Sequence, residues 1–105
     1  MYIKLFKYSI PPVRQEDFLT LQKEVNTAYQ KHAKVEFELL QDEMHPGAWV
    51  EIQYYEDKEA YEKAMEGVRS EPYGQALWER FLTMLDPVHP EVEENSFFCH
   101  RGDFH

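Results

Sequence analysis

The stretch that most constrains the fold of this chain runs from residue 49 to residue 85, where a strand pattern passes directly into a long helical pattern. Its first part alternates between two faces: Val50, Ile52 and Tyr54 share one, and Trp49, Glu51, Gln53 and Tyr55 share the other. The first face is aliphatic and suits packing against helices. The second combines aromatic rings with a carboxylate and an amide, which is unusual for an ordinary core. Both faces of this strand therefore require an explanation.

A helix is expected to begin directly after this strand. Asp57 offers an N-cap oxygen, and Glu59 lies in the first turn, where the helix dipole favours an acidic side chain. Apolar residues keep helical spacing up to residue 68 and resume it after Pro72. Because proline is tolerated best in the first turn of a helix, the sequence predicts two consecutive helices joined at residues 70–72.

Three more strands and one more helix are predicted outside this stretch. The first strand covers residues 1–10 and ends at two prolines, and an amphipathic helix follows over residues 14–33. A second strand at residues 34–40 is joined to the next by a turn in residues 41–47, which predicts a hairpin. A fourth strand is expected over residues 92–101, followed by a loose tail.

The predicted order of elements, β-α-β-β-α-β, is that of the ferredoxin-like split βαβ arrangement. In this α+β fold, helices cover one face of a four-stranded antiparallel sheet. The other face would be open in a monomer, and we expect it to carry too much apolar surface to remain in water. Pairing of two such faces predicts a homodimer through the open sheet face, that is, a dimeric α/β barrel. The residues expected on this face are Tyr2, Phe6, Tyr8, Leu40, Trp49 and Tyr55.

Length and charge restrict the domain count and the partners of the chain. Its 105 residues suit one domain, spanning residues 1–105, with one core. A formal net charge of −9 makes nucleic acids and anionic membranes poor partners. The first ten residues lack the apolar run of a signal peptide or membrane span, and the lone Cys99 excludes an intramolecular disulfide. A cytoplasmic protein is expected.

No motif in the sequence is specific for a metal or a cofactor. The five histidines show no ligand spacing, and the adjacent Cys99 and His100 would point to opposite faces of a strand. The four glycines make no dinucleotide-binding fingerprint. We therefore expect neither a metal nor a cofactor.

Glu51 is the strongest candidate for chemistry. By strand parity it points into the space between the two sheets of the dimer, where a carboxylate without a partner would be costly. One interpretation is a structural or interface ion pair with Lys4, His100 or Arg101. The other is a ligand-facing role, in which burial raises the pKa of Glu51 and suits it to act as a catalytic base.

A small-molecule pocket is predicted around this carboxylate. Tyr8, Trp49, Gln53 and Tyr55 are expected to bind an apolar or aromatic molecule, and His32, at the end of the first helix, is a second candidate catalytic residue. For the aromatic residues the alternative is a packed core with satisfied hydroxyl groups. For His32 the alternative is a favourable charge in the last helical turn.

Residues 51–85 also carry a family resemblance. The motifs Glu-x-x-Tyr-Tyr-Glu-Asp, Glu-Ala-Tyr, Ser-Glu-Pro-Tyr and a closing Phe-Leu-x-x-Leu make this region resemble the small dimeric α/β-barrel proteins, namely the antibiotic biosynthesis monooxygenases and their NIPSNAP-like relatives. The resemblance implies a ferredoxin-like dimeric barrel. Haem-degrading members use an asparagine on the first strand and a histidine in the second helical region. Here the first strand offers Phe6 or Tyr8 in place of the asparagine, and residues 57–85 contain no histidine. The residues that haem degradation uses are therefore not matched in this sequence.

Two functional hypotheses follow. The first is a homodimeric barrel protein that binds a small apolar or aromatic molecule and has no catalytic motif, as in a stress-associated module. The alternative is a cofactor-independent monooxygenase or isomerase of the antibiotic biosynthesis type. In that case Glu51 is the base, and the aromatic residues around it shape the pocket.

Overall fold

The computed structural model describes residues 1–100. The chain order of the elements within this range is β1 (Tyr2–Ser9), a short 3-10 helix (Pro12–Arg14), α1 (Gln15–Gln30), β2 (Val35–Gln41), β3 (Ala48–Tyr55), α2 (Lys58–Ser70), α3 (Pro72–Met84) and β4 (Glu93–Phe98). The expectations for Arg101 and for the tail that follows it lie outside the described residues.

The four strands form one antiparallel sheet in the order β2-β3-β1-β4. The two central strands pair in a register that sets Tyr2 opposite Tyr55 and Phe6 opposite Glu51. The β2–β3 pair is the predicted hairpin. This topology confirms the ferredoxin-like α+β fold, with the helices on one face of the sheet.

The two consecutive helices after β3 are also confirmed. The Asp57 side chain accepts a hydrogen bond from the Ala60 backbone N–H at 2.8 Å and so caps α2. Extended backbone at Glu71 ends α2, and Pro72 begins α3, where its missing N–H costs nothing. Within residues 1–100, no helix combines the length and apolar character needed to cross a membrane.

The core lies between the sheet and the three helices, and aromatic contacts hold its centre together. The Phe18 ring of α1 packs on Trp49 with centroids 5.0 Å apart. Tyr8 meets Phe18 and Phe81 edge to face, at 5.7 and 4.9 Å. Such tilted and edge-on arrangements are the favourable ones for aromatic rings. A smaller cluster at the other end of the sheet joins Tyr55 to Tyr61 of α2.

The predicted assignment of the two sheet faces was wrong. Alternation groups the residues correctly, but the aromatic and polar face of β3 lies under the helices, and the aliphatic face is the open one. Buried side chains alternate along the whole strand, from Trp49 to Tyr55. The alternation of side chains along a strand shows which residues share a face. It does not show which of the two faces packs against the helices, because tertiary packing decides that. Of the six residues expected on the open face, only Leu40 is there.

The open face of the sheet is aliphatic at its centre. Leu5 and Ile52 face each other there across the two central strands, and both are only half-buried. Toward its edges the same face carries Leu40 and Phe97, each 48 % exposed. An apolar diagonal strip therefore runs from Phe97 through Leu5 and Ile52 to Leu40, on the side of the sheet that carries no helix of residues 1–100. Polar residues flank it, since Glu38 lies beside Ile52 and Asn95 beside Leu5.

Candidate functional site

A cavity of about 480 Å³ lies between the covered face of the sheet and the three helices. Its walls are mostly apolar, and its polar inner surface is contributed by Glu51 and Gln53 of β3 and by Gln22 of α1. This size is within the range of roughly 300–1,000 Å³ that is typical of small-molecule sites. The apolar lining consists of Phe6, Val25, Tyr29, Met65, Val68, Leu77, Trp78 and Phe81.

Glu51 is buried in this wall and is held by hydrogen-bond donors. The Tyr8 hydroxyl donates to its Oε1 at 2.8 Å, and the Gln53 amide donates to its Oε2 at 2.6 Å. The Gln22 side chain also lies beside this carboxyl group and acts to lower its pKa. Among the residues that the structure describes, no cation forms an ion pair with Glu51. The carboxyl group is therefore satisfied by neutral donors.

Burial controls the acidity of these groups. It raises the pKa of Glu51, and the bonds from Gln53, Tyr8 and Gln22 oppose that rise without cancelling it. Burial together with the nearby Glu51 charge also raises the pKa of the Tyr8 hydroxyl far above its usual range. Tyr8 therefore remains a donor at all ordinary pH values. The arrangement favours a carboxyl group that can exchange a proton nearer neutrality than an exposed glutamate can.

Lys4, one of the expected partners of Glu51, is used elsewhere. Its ammonium group lies 2.5 Å from a carboxylate oxygen of Glu94 and donates to the Ser96 hydroxyl at 2.7 Å. It also lies over the ring of Tyr61, 5.0 Å from the centroid. The interpretation of Glu51 as a partner of Lys4 is therefore wrong.

Of the six residues that sequence reasoning assigned to the site, the structure brings Glu51 and Gln53 to the cavity wall. The Tyr8 hydroxyl donates a hydrogen bond to Glu51 from the core side. The Tyr55 hydroxyl likewise donates to the Gln53 side-chain oxygen, at 2.7 Å. Trp49 is core, packed against α1. These three aromatic residues lie behind the wall and do not line the cavity.

His32 does not line the cavity. Its ring lies against Gly67 of α2, and its Nε2 is 2.6 Å from a carboxylate oxygen of Glu71, at the junction between α2 and α3. The structure thus gives His32 a contact that joins α1 to the helix junction, and it does not bring His32 together with Glu51.

Sequence reasoning missed several residues that form the cavity. Gln22 lies within the apolar stripe of α1, between Phe18 and Val25. A glutamine on such a stripe could have indicated from the sequence that a polar group is needed inside the protein at this position. Trp78 is 55 % exposed, stacks on Phe81 with ring centroids 5.6 Å apart, and stands at the cavity wall. The exposed polar residues at its rim are Arg69, Gln75, Glu79 and Glu94.

In the part of the chain that the structure describes, no group of three or more His, Cys, Asp and Glu side chains is arranged to hold a metal ion. The groups that line the cavity offer hydrogen bonding, apolar contact and proton transfer at Glu51.

Solved structures resemble this chain over nearly its whole length. SnoaB, a cofactor-independent oxygenase from Streptomyces nogalater, matches it with a TM-score of 0.76 and 11% identity over 99% of this chain and 97% of that chain. This chain has the same fold. A NIPSNAP domain protein from Burkholderia xenovorans matches with a TM-score of 0.73 and 16% identity over 95% of both chains. An antibiotic biosynthesis monooxygenase matches with a TM-score of 0.69 and 16% identity over 96% of this chain and 100% of that chain.

These similarities confirm, at the level of fold, the resemblance that residues 51–85 indicated. Identities of 11% to 16% establish the fold alone, because one fold hosts many activities. The sequence itself matches no protein-family profile and no curated protein.

Proposed function

We propose that this protein binds a small aromatic molecule in the cavity between the sheet and the helices. The observation that carries the proposal is a largely apolar cavity of about 480 Å³ with a buried carboxyl group, Glu51, in its wall. Apolar walls supply affinity for a ring system, and a few placed polar groups supply orientation. In this proposal the ring lies near Phe6, Leu77 and Phe81, and a polar substituent reaches Glu51.

The partly exposed Trp78 supports the same assignment. A tryptophan that is more than half exposed gives up apolar burial, and here its ring continues the aromatic wall formed by Phe81 toward the solvent. A planar ligand that extends past the rim would stack on it. The Arg69 guanidinium and the Glu79 carboxylate at the rim offer polar contacts outside the apolar part.

A second candidate function, cofactor-independent oxygenation, is favoured by the raised pKa of Glu51 at the cavity wall. A base of this kind could take the O–H proton of a hydroxyarene, and the anion formed would react with O₂ to give a quinone and one water molecule. The two oxygen atoms of O₂ would then be divided between the quinone and the water. SnoaB, which has this fold, is a cofactor-independent oxygenase.

The proposed functional unit is a homodimer in which a second copy covers the open sheet face. The strip that contains Leu5, Ile52, Leu40 and Phe97 is apolar and lies on the side of the sheet left uncovered by the helices of the described residues. A two-fold pairing would bury the same strip from both copies, as the self-complementary interfaces of homodimers do. The cavity opens on the other side of the sheet, so ligand binding and pairing would not compete.

Thermal unfolding in the presence of ligands tests the binding proposal. A panel of naphthols, quinols, flavins and haem should include aromatic compounds that raise the unfolding temperature of the wild type in a saturable way. Val25→Phe adds a ring inside the cavity wall and should abolish this stabilisation. Val13→Phe, at a position 90 % exposed, is the matched control and should retain it. A wild type that no member of the panel stabilises would contradict the proposal.

Oxygen uptake separates the two candidate functions. If the protein is an oxygenase, adding a quinol or naphthol that binds should cause consumption of dissolved O₂, and Glu51→Gln should reduce the rate far more than the binding affinity. If compounds bind saturably but none of them causes O₂ to be consumed, the binding function is supported and the oxygenase function is excluded.

A further inference from the structure

Three residues of β3 that point into the protein form a hydrogen-bonded chain. The Tyr55 hydroxyl donates to Oε1 of Gln53 at 2.7 Å, and Nε2 of Gln53 donates to Oε2 of Glu51 at 2.6 Å. Their side chains occupy every second position of one strand, and all three are more than nine-tenths buried. Gln53 and Glu51 line the cavity, whereas Tyr55 lies behind them.

The orientation of the Gln53 amide decides what Glu51 meets. A glutamine presents an acceptor at one end of its amide and donors at the other. Burial raises the pKa of the Tyr55 hydroxyl far above its usual range, so the hydroxyl keeps its hydrogen and acts as a donor. The opposite orientation would set the Gln53 carbonyl oxygen against an ionised Glu51, with two acceptors about as close as the observed 2.6 Å. The observed direction is therefore the one that suits a carboxylate.

We propose that Tyr55 is a positioning residue, which acts through Gln53 to hold Glu51 as a hydrogen-bond acceptor, so that the cavity selects aromatic ligands that present an O–H or N–H group. This inference rests on the proposed function, since it concerns what the same cavity binds. It adds the chemical class of the ligand's polar group and the residue that enforces the selection.

The number of free acceptor positions supports a ligand that is a donor. A carboxylate has about four lone-pair positions, and the bonds from Tyr8 and Gln53 occupy two of them. With the Gln22 side chain also beside the carboxyl group, at least one position remains for a group inside the cavity. A ligand O–H or N–H would complete the set, whereas an ether or ketone oxygen would place a lone pair against the carboxylate and be disfavoured.

Titration of Glu51 in the ligand-free protein tests the positioning role. Carboxyl ¹³C NMR should show a further rise in the pKa of Glu51 in Tyr55→Phe and in Gln53→Leu, since each weakens donation to Oε2. The double variant should show the same rise as Gln53→Leu alone, because Tyr55 acts only through Gln53. Tyr61→Phe removes a hydroxyl group from the ring that meets Tyr55 edge-on and leaves the Tyr55–Gln53–Glu51 hydrogen bonds intact, so it should leave the titration unchanged. An unshifted Glu51 in Tyr55→Phe, or additive effects in the double variant, would overturn the positioning role.

Two matched ligands test the selection in the wild type, which needs no substitution. At a pH above the folded-state pKa of Glu51, where its carboxyl group is ionised, 2-naphthol should bind at least about ten-fold more tightly than its methyl ether, as expected for one hydrogen bond to a charged group. Tyr55→Phe should reduce this ratio while it retains binding of the ether. Equal binding of the two compounds would overturn the selection but leave the binding function intact. If neither compound nor any other aromatic ligand binds, the proposed function and the selection fail together, while the titration still decides the role of Tyr55.

Discussion

Tyr8 on β1 donates its hydroxyl hydrogen to Glu51 on β3 over 2.8 Å, beneath the helices and across the two central strands of the sheet. The bond gives this carboxyl group, which is 6% exposed, a neutral donor instead of a cation. A carboxyl group in such a position is costly when ionised. Its presence in the cavity wall is the feature around which the proposed function is built.

The stability of the protein should fall as the pH rises because of Glu51. The folded-state pKa of Glu51 is raised above the ordinary value of 4.5, so between that pH and the folded-state pKa the native state binds more protons than the unfolded state. The free energy of unfolding should therefore decrease through this window, by up to about 1.4 kcal/mol per pH unit. Urea unfolding between about pH 4.5 and pH 8 should show a flatter profile for Glu51→Gln. Glu62→Gln, at an exposed position on α2, is the control and should follow the wild type. A Glu51→Gln profile as steep as the wild type would contradict the prediction.

Trp49→Ala should destabilise the protein by about 3–5 kcal/mol. The ring is 5% exposed, packs on Phe18 and does not line the cavity, so its removal leaves a void in the core. Chemical denaturation measures this loss. Trp78→Ala is the matched control. Because Trp78 is 55% exposed, this substitution should lower the free energy of unfolding much less. Similar costs for the two substitutions would contradict the assignment of Trp49 to the core.

Gly74→Ala should destabilise the protein by about 1–3 kcal/mol, as overpacking typically does. A methyl group at Gly74 would collide with the backbone carbonyl oxygen of Val68, and backbone cannot move aside as a flexible side chain can. The close approach of α3 to α2 at their junction therefore needs a residue without a Cβ. Thermal unfolding of Gly74→Ala should show the loss, whereas Ala76→Ser, on the exposed side of α3, should be nearly neutral. An unchanged Gly74→Ala would mean that the junction is looser than the structure indicates.

Ile52→Glu should convert the proposed dimer into a folded monomer. Ile52 lies opposite Leu5 at the centre of the open face, where pairing would bury an unpaired charge in each copy. Sedimentation equilibrium at micromolar concentration measures the change in mass, and circular dichroism checks that the monomer is folded. Val13→Glu, far more exposed, should remain a dimer. A wild type that sediments as a monomer would refute the pairing.

Much of the fold could be predicted because local chemistry determines it. The Asp57 cap, the break at Pro72 and the alternation from Trp49 to Tyr55 are each properties of a few neighbouring residues. They fix where the elements begin and which side chains share a face. The element order then leaves the ferredoxin-like arrangement as the natural topology.

The direction of the sheet faces could not be predicted in the same way. Both faces of β3 carry large side chains, so the sequence leaves two arrangements with comparable apolar burial. The choice depends on contacts between residues far apart in sequence, such as Phe18 with Trp49 and Tyr8 with Phe81. Alternation along β3 was enough to single out Glu51 as a candidate, but its contacts with Tyr8 and Gln22 became visible only in three dimensions.

The most direct test of the central claim is an NMR titration of the wild type with 2-naphthol. Saturable shifts are expected at the side-chain amides of Gln22 and Gln53 and at the indole N–H of Trp78, because these groups lie on the cavity wall. The indole N–H of Trp49, in the core behind that wall, should move much less. Shifts confined to the open sheet face, or no saturable shift with this or any other aromatic ligand, would contradict the account.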